Sequence, residues 1–210
     1  MMRPKSPSVG SGEGGVHFER IVFFSDAVFA IAITLLALEI RLPEVDADAL
    51  PHALFRLLPE IGVYALSFLI VGLYWVSHHR MFRYIVRYDD TLVWLNLFFL
   101  LCIAFLPVAS SILGHYNHPF AVLFYCSVLC LTSLTSILVW WYANHNHLTP
   151  PDIEPSTIRY LFYWSTATIG VSFLATGVAF MNTLAALIVL GIYAILAIVF
   201  RWLDVPILAA

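Results

Sequence analysis

Six apolar stretches, near residues 20–41, 56–80, 91–113, 119–143, 157–180 and 183–203, restrict this chain more than any other feature. Each is long enough to span a bilayer, whose hydrocarbon core of about 30 Å takes about 20 helical residues. Lipid offers no hydrogen bonds to the backbone, so open strand edges are excluded and all six are expected to be helices. The intervening segments carry the polar and turn-forming residues: "LPEVDADALPH", "RMFRYIVRYDD", "GHYNHP", "NHNHLTPPDIEP" and "MNT". Composition agrees, with 61% hydrophobic and only 11% charged residues and a mean hydropathy of +0.90, values outside the range of soluble domains. The fold class is therefore an all-α membrane protein with six transmembrane helices. Residues 1–15, rich in Gly, Ser and Pro, read as a disordered cytoplasmic tail, and residues 16–210 as one transmembrane domain. The tail and the run after it do not read as a signal peptide, because that run is too long and contains acids.

Basic residues give the orientation. Arg3, Lys5, Arg20, Arg80, Arg83, Arg87, Arg159 and Arg201 fall on one side of the six spans, whereas the other side holds Arg41 and Arg56 beside Glu44, Asp46, Asp48 and Glu60. The positive-inside rule then puts both termini in the cytoplasm, which requires an even number of spans. A net charge of −3 without any basic run gives no footprint for nucleic acid. Cys102, Cys126 and Cys130 all lie in apolar runs and read as small hydrophobes.

Chemistry is sought in the polar residues at membrane depth, where ionisable groups are costly and suggest function. The first span carries Ser25, Asp26, Thr34 and Glu39; the second ends in "LYWVSHHRMF", which puts Trp75 on a helical face with His78 and His79; the third contributes Asn96. Asp26 has two readings. It either complements the dipole at the helix N-terminus and snorkels to the interface, or accepts bonds from an imidazole, an indole N–H or Asn96 and fastens the first helix to the next two. His78 and His79 face different ways, and no second pair completes a metal or haem site, so neither metal nor cofactor is expected. Ala27, Ile31, Leu35 and Leu38 recur at steps of four, four and three. They draw one stripe, with Thr34 beside it, that periodicity alone reads as a face toward lipid or a neighbouring helix.

The run Arg20-x-x-x-Phe24-Ser25-Asp26, continued by "AVFAIAITLLALEI", resembles the signature of the endosomal/lysosomal potassium channel family, transmembrane protein 175. "YWVSHHR" and "NLFFLLCIAFLP" resemble that family's second- and third-helix segments, so the likeness is strong over about the first 113 residues and rests on helix count beyond them. Chains of this length resemble the bacterial members, with one six-helix repeat where the animal proteins have two. The resemblance implies a homotetramer in a bacterial plasma membrane, with the first helices lining a central pore for potassium and other monovalent cations. By position, Ile31, Leu35 and Leu38 would form the hydrophobic constriction, and Thr34 would be the hydroxyl available to an ion. Arg20, Phe24, Ser25, Asp26, Trp75, His78, His79 and Asn96 would form a polar network that fastens the pore helix. Ala27 stands where many relatives carry Gly. Glu39 is either an interfacial acid or part of an acidic ring at the external mouth.

No TVGYG carbonyl filter occurs in the sequence, so modest selectivity is expected. The alternative is a proton- or cation-coupled transporter using Asp26 and His78 or His79 as a relay. An enzyme is not expected, since neither HExxH nor GxSxG is present.

Overall fold

The computed structural model describes residues 13–40 and 45–202. Its long helices are α1 (Glu13–Leu38), α3 (Leu58–Tyr84), α4 (Asp90–His115), α5 (Pro119–His145), α6 (Pro155–Ala179) and α7 (Thr183–Trp202), with a short α2 (Leu50–Arg56) on the connection between α1 and α3. All six long helices contain a stretch apolar enough to cross a membrane.

The differences from the sequence expectation lie at the ends. Arg56 closes α2 instead of opening the second span, and α3 runs on to Tyr84. Tail residues 1–12 lie outside the described residues, and Glu13–Gly15 form the first turn of α1, in continuity with the apolar run behind them. The first span stops at Leu38, three residues short of the expected 41, which itself lies outside the described residues.

Local chemistry explains several boundaries. Pro119 and Pro155 occupy first turns, where a missing N–H costs nothing. Asp89 caps α4 by accepting from Leu92 N at 2.8 Å, while its other oxygen accepts from Tyr142 Oη at 2.8 Å, tying the start of α4 to the end of α5. His147, at φ 55°, turns the chain out of α5, and Leu148 N reaches back to Ala143 O at 2.9 Å.

Loop contacts settle which ends lie together. Leu148 O accepts from Val86 N (2.9 Å) and Arg87 N (3.2 Å), so the α3–α4 and α5–α6 connections share one side. Thr183, at the start of α7, donates to Asn117 in the α4–α5 connection on the other side. The six long helices thus alternate in direction. Half of the apolar stretch of α4 and of α5 is buried, against 22% for α1, α6 and α7. The core is built on α4 and α5, and α1 packs on α3 and α4 at the edge.

Between α3 and its neighbours the core is polar in places. Tyr74 Oη donates to Leu129 O at 2.9 Å and lies 2.8 Å from Ser133 Oγ, while Ser110 Oγ donates to Ser67 Oγ at 2.8 Å and Ser67 lies 3.1 Å from Tyr125 Oη. In lipid such bonds supply adhesion that apolar contact alone does not.

Candidate functional site: the two faces of the first helix

One face of α1 is buried. Ser25, Phe29, Ala32 and Leu36, at steps of four, three and four, are each at most 1% exposed. From this face Ser25 enters a chain of three hydrogen bonds. Ser25 Oγ donates to Ile21 O at 2.9 Å, which commits its only proton. Its oxygen therefore accepts from Asn96 Nδ2 at 3.0 Å, and Asn96 Oδ1 is left to accept from His78 Nε2 at 2.9 Å. The direction of the chain puts a proton on His78 Nε2. His78 Nδ1 is buried and without a partner among the described residues.

The imidazole, 1% exposed, is stacked on Phe82 at 4.2 Å between centroids and on Phe99 at 5.5 Å, with Phe29 at 5.6 Å. This aromatic box was not singled out from the sequence. Its signal was available: Phe82 follows His78 by four residues, and Phe99 follows Asn96 by three.

Asp26 lies one residue on, about 100° further round the helix, and so faces away from this chain. It takes neither imidazole nor Asn96. Its Oδ1 accepts from Trp75 Nε1 at 2.8 Å, a bond at the partly exposed edge of the α1–α3 contact. The expected single network is therefore two: Ser25–Asn96–His78, running from α1 through α4 to α3, and Asp26–Trp75, joining α1 to α3 directly. Arg20, Phe24 and His79 stand outside both. Arg20 and Phe24 line a groove of about 340 Å³ beside Asn96, and His79 stacks on the Trp75 ring at 5.7 Å.

The other face of α1 carries Ala27, Ile31, Thr34, Leu35 and Leu38, and all five are exposed. Ile31 is 59%, Leu35 40% and Leu38 77% exposed. Thr34 Oγ1 donates to Ile31 O at 2.8 Å, one turn back, so the hydroxyl proton is held against the helix and the oxygen lone pairs remain available. Glu39, just past the end of α1, shares a small cleft with Glu60, Ser110, Ser111 and His115. Among the described residues no group of three or more His, Cys, Asp or Glu side chains is arranged to hold a metal ion.

The chain has relatives among known proteins. Residues 20–107 match the family model for the endosomal/lysosomal potassium channel TMEM175. A potassium channel of Streptomyces collinus is 34% identical over 197 residues, which cover 90% of this chain and 93% of that one. The human endosomal/lysosomal proton channel TMEM175 is 33% identical over 156 residues, 72% of this chain but only 31% of the human protein. Among solved structures, the lysosomal potassium-selective channel TMEM175 homolog from Chamaesiphon minutus superposes with a TM-score of 0.77 at 26% identity, covering 88% of this chain and 97% of that one. A chain whose first helix carries this two-faced pattern, and which matches its relative in Streptomyces collinus almost end to end, belongs to the TMEM175 family.

Proposed function

We propose that this protein is a passive potassium channel, built from four copies around an axis lined by the exposed face of α1. The observation that carries the proposal is the division of α1 into two faces. Polar bonds and buried aromatics hold one face against α3 and α4, and the other presents branched alkyl groups and one hydroxyl to whatever lies beyond the subunit. A helix that faced only lipid on that side would need no such fastening at its cytoplasmic half. The relatives compared above are named channels, which favours passive conduction over coupled transport.

In this reading four Ile31 side chains form the narrowest ring, followed by Leu35 and Leu38. Alkyl groups cannot replace an ion's hydration water, so the ring resists wetting and sets the barrier to conduction. Thr34, between the Ile31 and Leu35 levels, turns a hydroxyl oxygen toward a partly dehydrated ion and favours potassium, which sheds water more easily than sodium. Glu39 stands at the external mouth, where four copies concentrate cations. Asp26 and Ser25 do not line the pore but hold its wall. The channel domain is read as residues 16–210, and the excess of arginine on one side of the spans favours cytoplasmic termini in a bacterial cell.

The test is a planar-bilayer recording of the purified protein under bi-ionic potassium/sodium conditions. Unitary currents with a reversal potential displaced toward potassium are expected, and they persist in symmetrical potassium chloride, where no ion has a gradient. Flux that appears only with a proton or sodium gradient, and no unitary current, would replace the channel by a coupled carrier.

A further inference from the structure

Arg201, at the end of α7, extends its guanidinium into the bundle. Nη1 donates to Leu73 O and Nη2 to Ser77 Oγ, both at 2.7 Å. Leu73 lies eleven residues before the end of α3 at Tyr84, about 16 Å along the axis at 1.5 Å per residue. The charge is therefore carried inward, where an ionisable group needs a reason. Its described surroundings are poor in negative charge. The Trp164 ring lies under the guanidinium at 4.9 Å, and the charged and titratable groups acting on it are Tyr160, Tyr193 and a second cation, Arg80, with no carboxylate among the described residues. Arg80 leans on the same aromatic cluster, donating to Tyr160 Oη at 3.0 Å.

Two further observations converge here. Trp164 is 6% exposed, yet its indole N–H is buried with no acceptor among the described residues. An unpaired buried N–H is costly and calls for a partner. Next to it, Ser77, Trp164, Ser165, Thr168, Tyr193 and Arg201 line a cavity of about 20 Å³. That is room for one water-sized or halide-sized occupant and nothing as large as a phosphate.

We propose that this cavity is a binding site for a small monovalent anion of the size of chloride. A halide offsets the Arg201 guanidinium, which faces no carboxylate among the described residues, and accepts from the Trp164 indole N–H, whereas the Ser77, Thr168 and Tyr193 hydroxyls already donate to backbone carbonyls. Water fills the same volume but does not offset the charge. The anion braces Leu73 and Ser77, and with them the stretch of α3 that presents Trp75 and His78 to the pore helix.

The experiment compares thermal unfolding of the purified full-length protein in potassium chloride and in potassium gluconate at equal ionic strength, and locates bromide by anomalous diffraction of wild-type crystals grown in potassium bromide. A midpoint that rises by a few degrees with chloride and saturates is expected, together with a bromide peak in this cavity; Arg201→Gln should abolish both. Trp164→Phe should raise the chloride concentration needed by severalfold. If Arg201→Gln does not fold, the bromide peak in the wild type decides. An empty or water-filled cavity in bromide, or chloride dependence that survives Arg201→Gln, would overturn the proposal.

Discussion

The two faces of α1 differ in how the chain determines them. The buried face is set within one subunit: Ser25, Phe29, Ala32 and Leu36 have their partners on α3 and α4, and each hydrogen bond is made inside the chain. The exposed face, from Ala27 to Leu38, has no such partners on other helices among the described residues, and in the proposed channel copies of itself would complete it. Mutations on the first face should therefore be read in stability, and mutations on the second in current. Any that cross over would break the comparison.

Asn96→Ala should have the largest effect. It removes the middle of the chain between Ser25 and His78 and leaves the His78 Nε2–H buried without an acceptor, at about 1–3 kcal/mol, while Ser25 keeps its bond to Ile21 O. Thermal unfolding should drop accordingly, while channels that do assemble keep their selectivity. A changed reversal potential with unchanged stability would place Asn96 at the conduction path and merge the two faces.

Ile31→Asn comes next. Replacing the branched alkyl ring by amides lets water through the constriction, and unitary conductance should rise severalfold, toward the tenfold that about 1.4 kcal/mol of barrier represents. Stability should hardly move, since Ile31 makes little contact within its own subunit. Conductance that stays the same would shift the constriction to Leu35 or Leu38.

Trp75→Phe removes the indole donor from Asp26 and should cost about 1 kcal/mol, the usual net worth of one hydrogen bond. Asp26→Asn keeps an oxygen acceptor for that donor and should cost less. The order would invert if the carboxylate served as a proton relay; Asp26→Asn would then change the pH response of the current and leave stability alone.

How much of this was legible in the chain depends on the range of the interaction. Six spans follow from apolar runs, a strong and local signal. The stripe of Ile31, Leu35 and Leu38 follows from helical period, which by itself reads as a face toward lipid or a neighbouring helix; its exposure rules out a neighbouring helix among the described residues of the same subunit. The split of the polar network was not legible. The sequence places Ser25 and Asp26 side by side, but which of α3 and α4 each one meets depends on the rotation of α1 about its own axis, and packing fixes that. The same holds for Arg201, which reads in the sequence as an ordinary basic end to a span and instead reaches across to Leu73 and Ser77. α2 was missed because a seven-residue helix in a polar connection has too few turns to show a period.

Thr34→Val should give the smallest effect. Valine keeps the branched shape and removes the oxygen, so conductance should persist while the potassium-over-sodium preference falls by about threefold or less, a contribution of order 0.5 kcal/mol. An unmoved reversal potential would reduce Thr34 to its bond with Ile31 O.

The central claim, that the exposed face of α1 lines a pore, is tested most directly by thiol block of single-channel current. Cys102, Cys126 and Cys130 are first replaced to give a silent background. Cysteines are then placed at Leu38 on α1 and at Ile188 on α7, both exposed on the subunit surface, and a charged, water-soluble thiol reagent is applied from the external side. Rapid block of Leu38→Cys channels with Ile188→Cys channels untouched is the predicted result. An unaffected Leu38→Cys current would mean that this face of α1 meets lipid, and the pore would have to be sought on another helix.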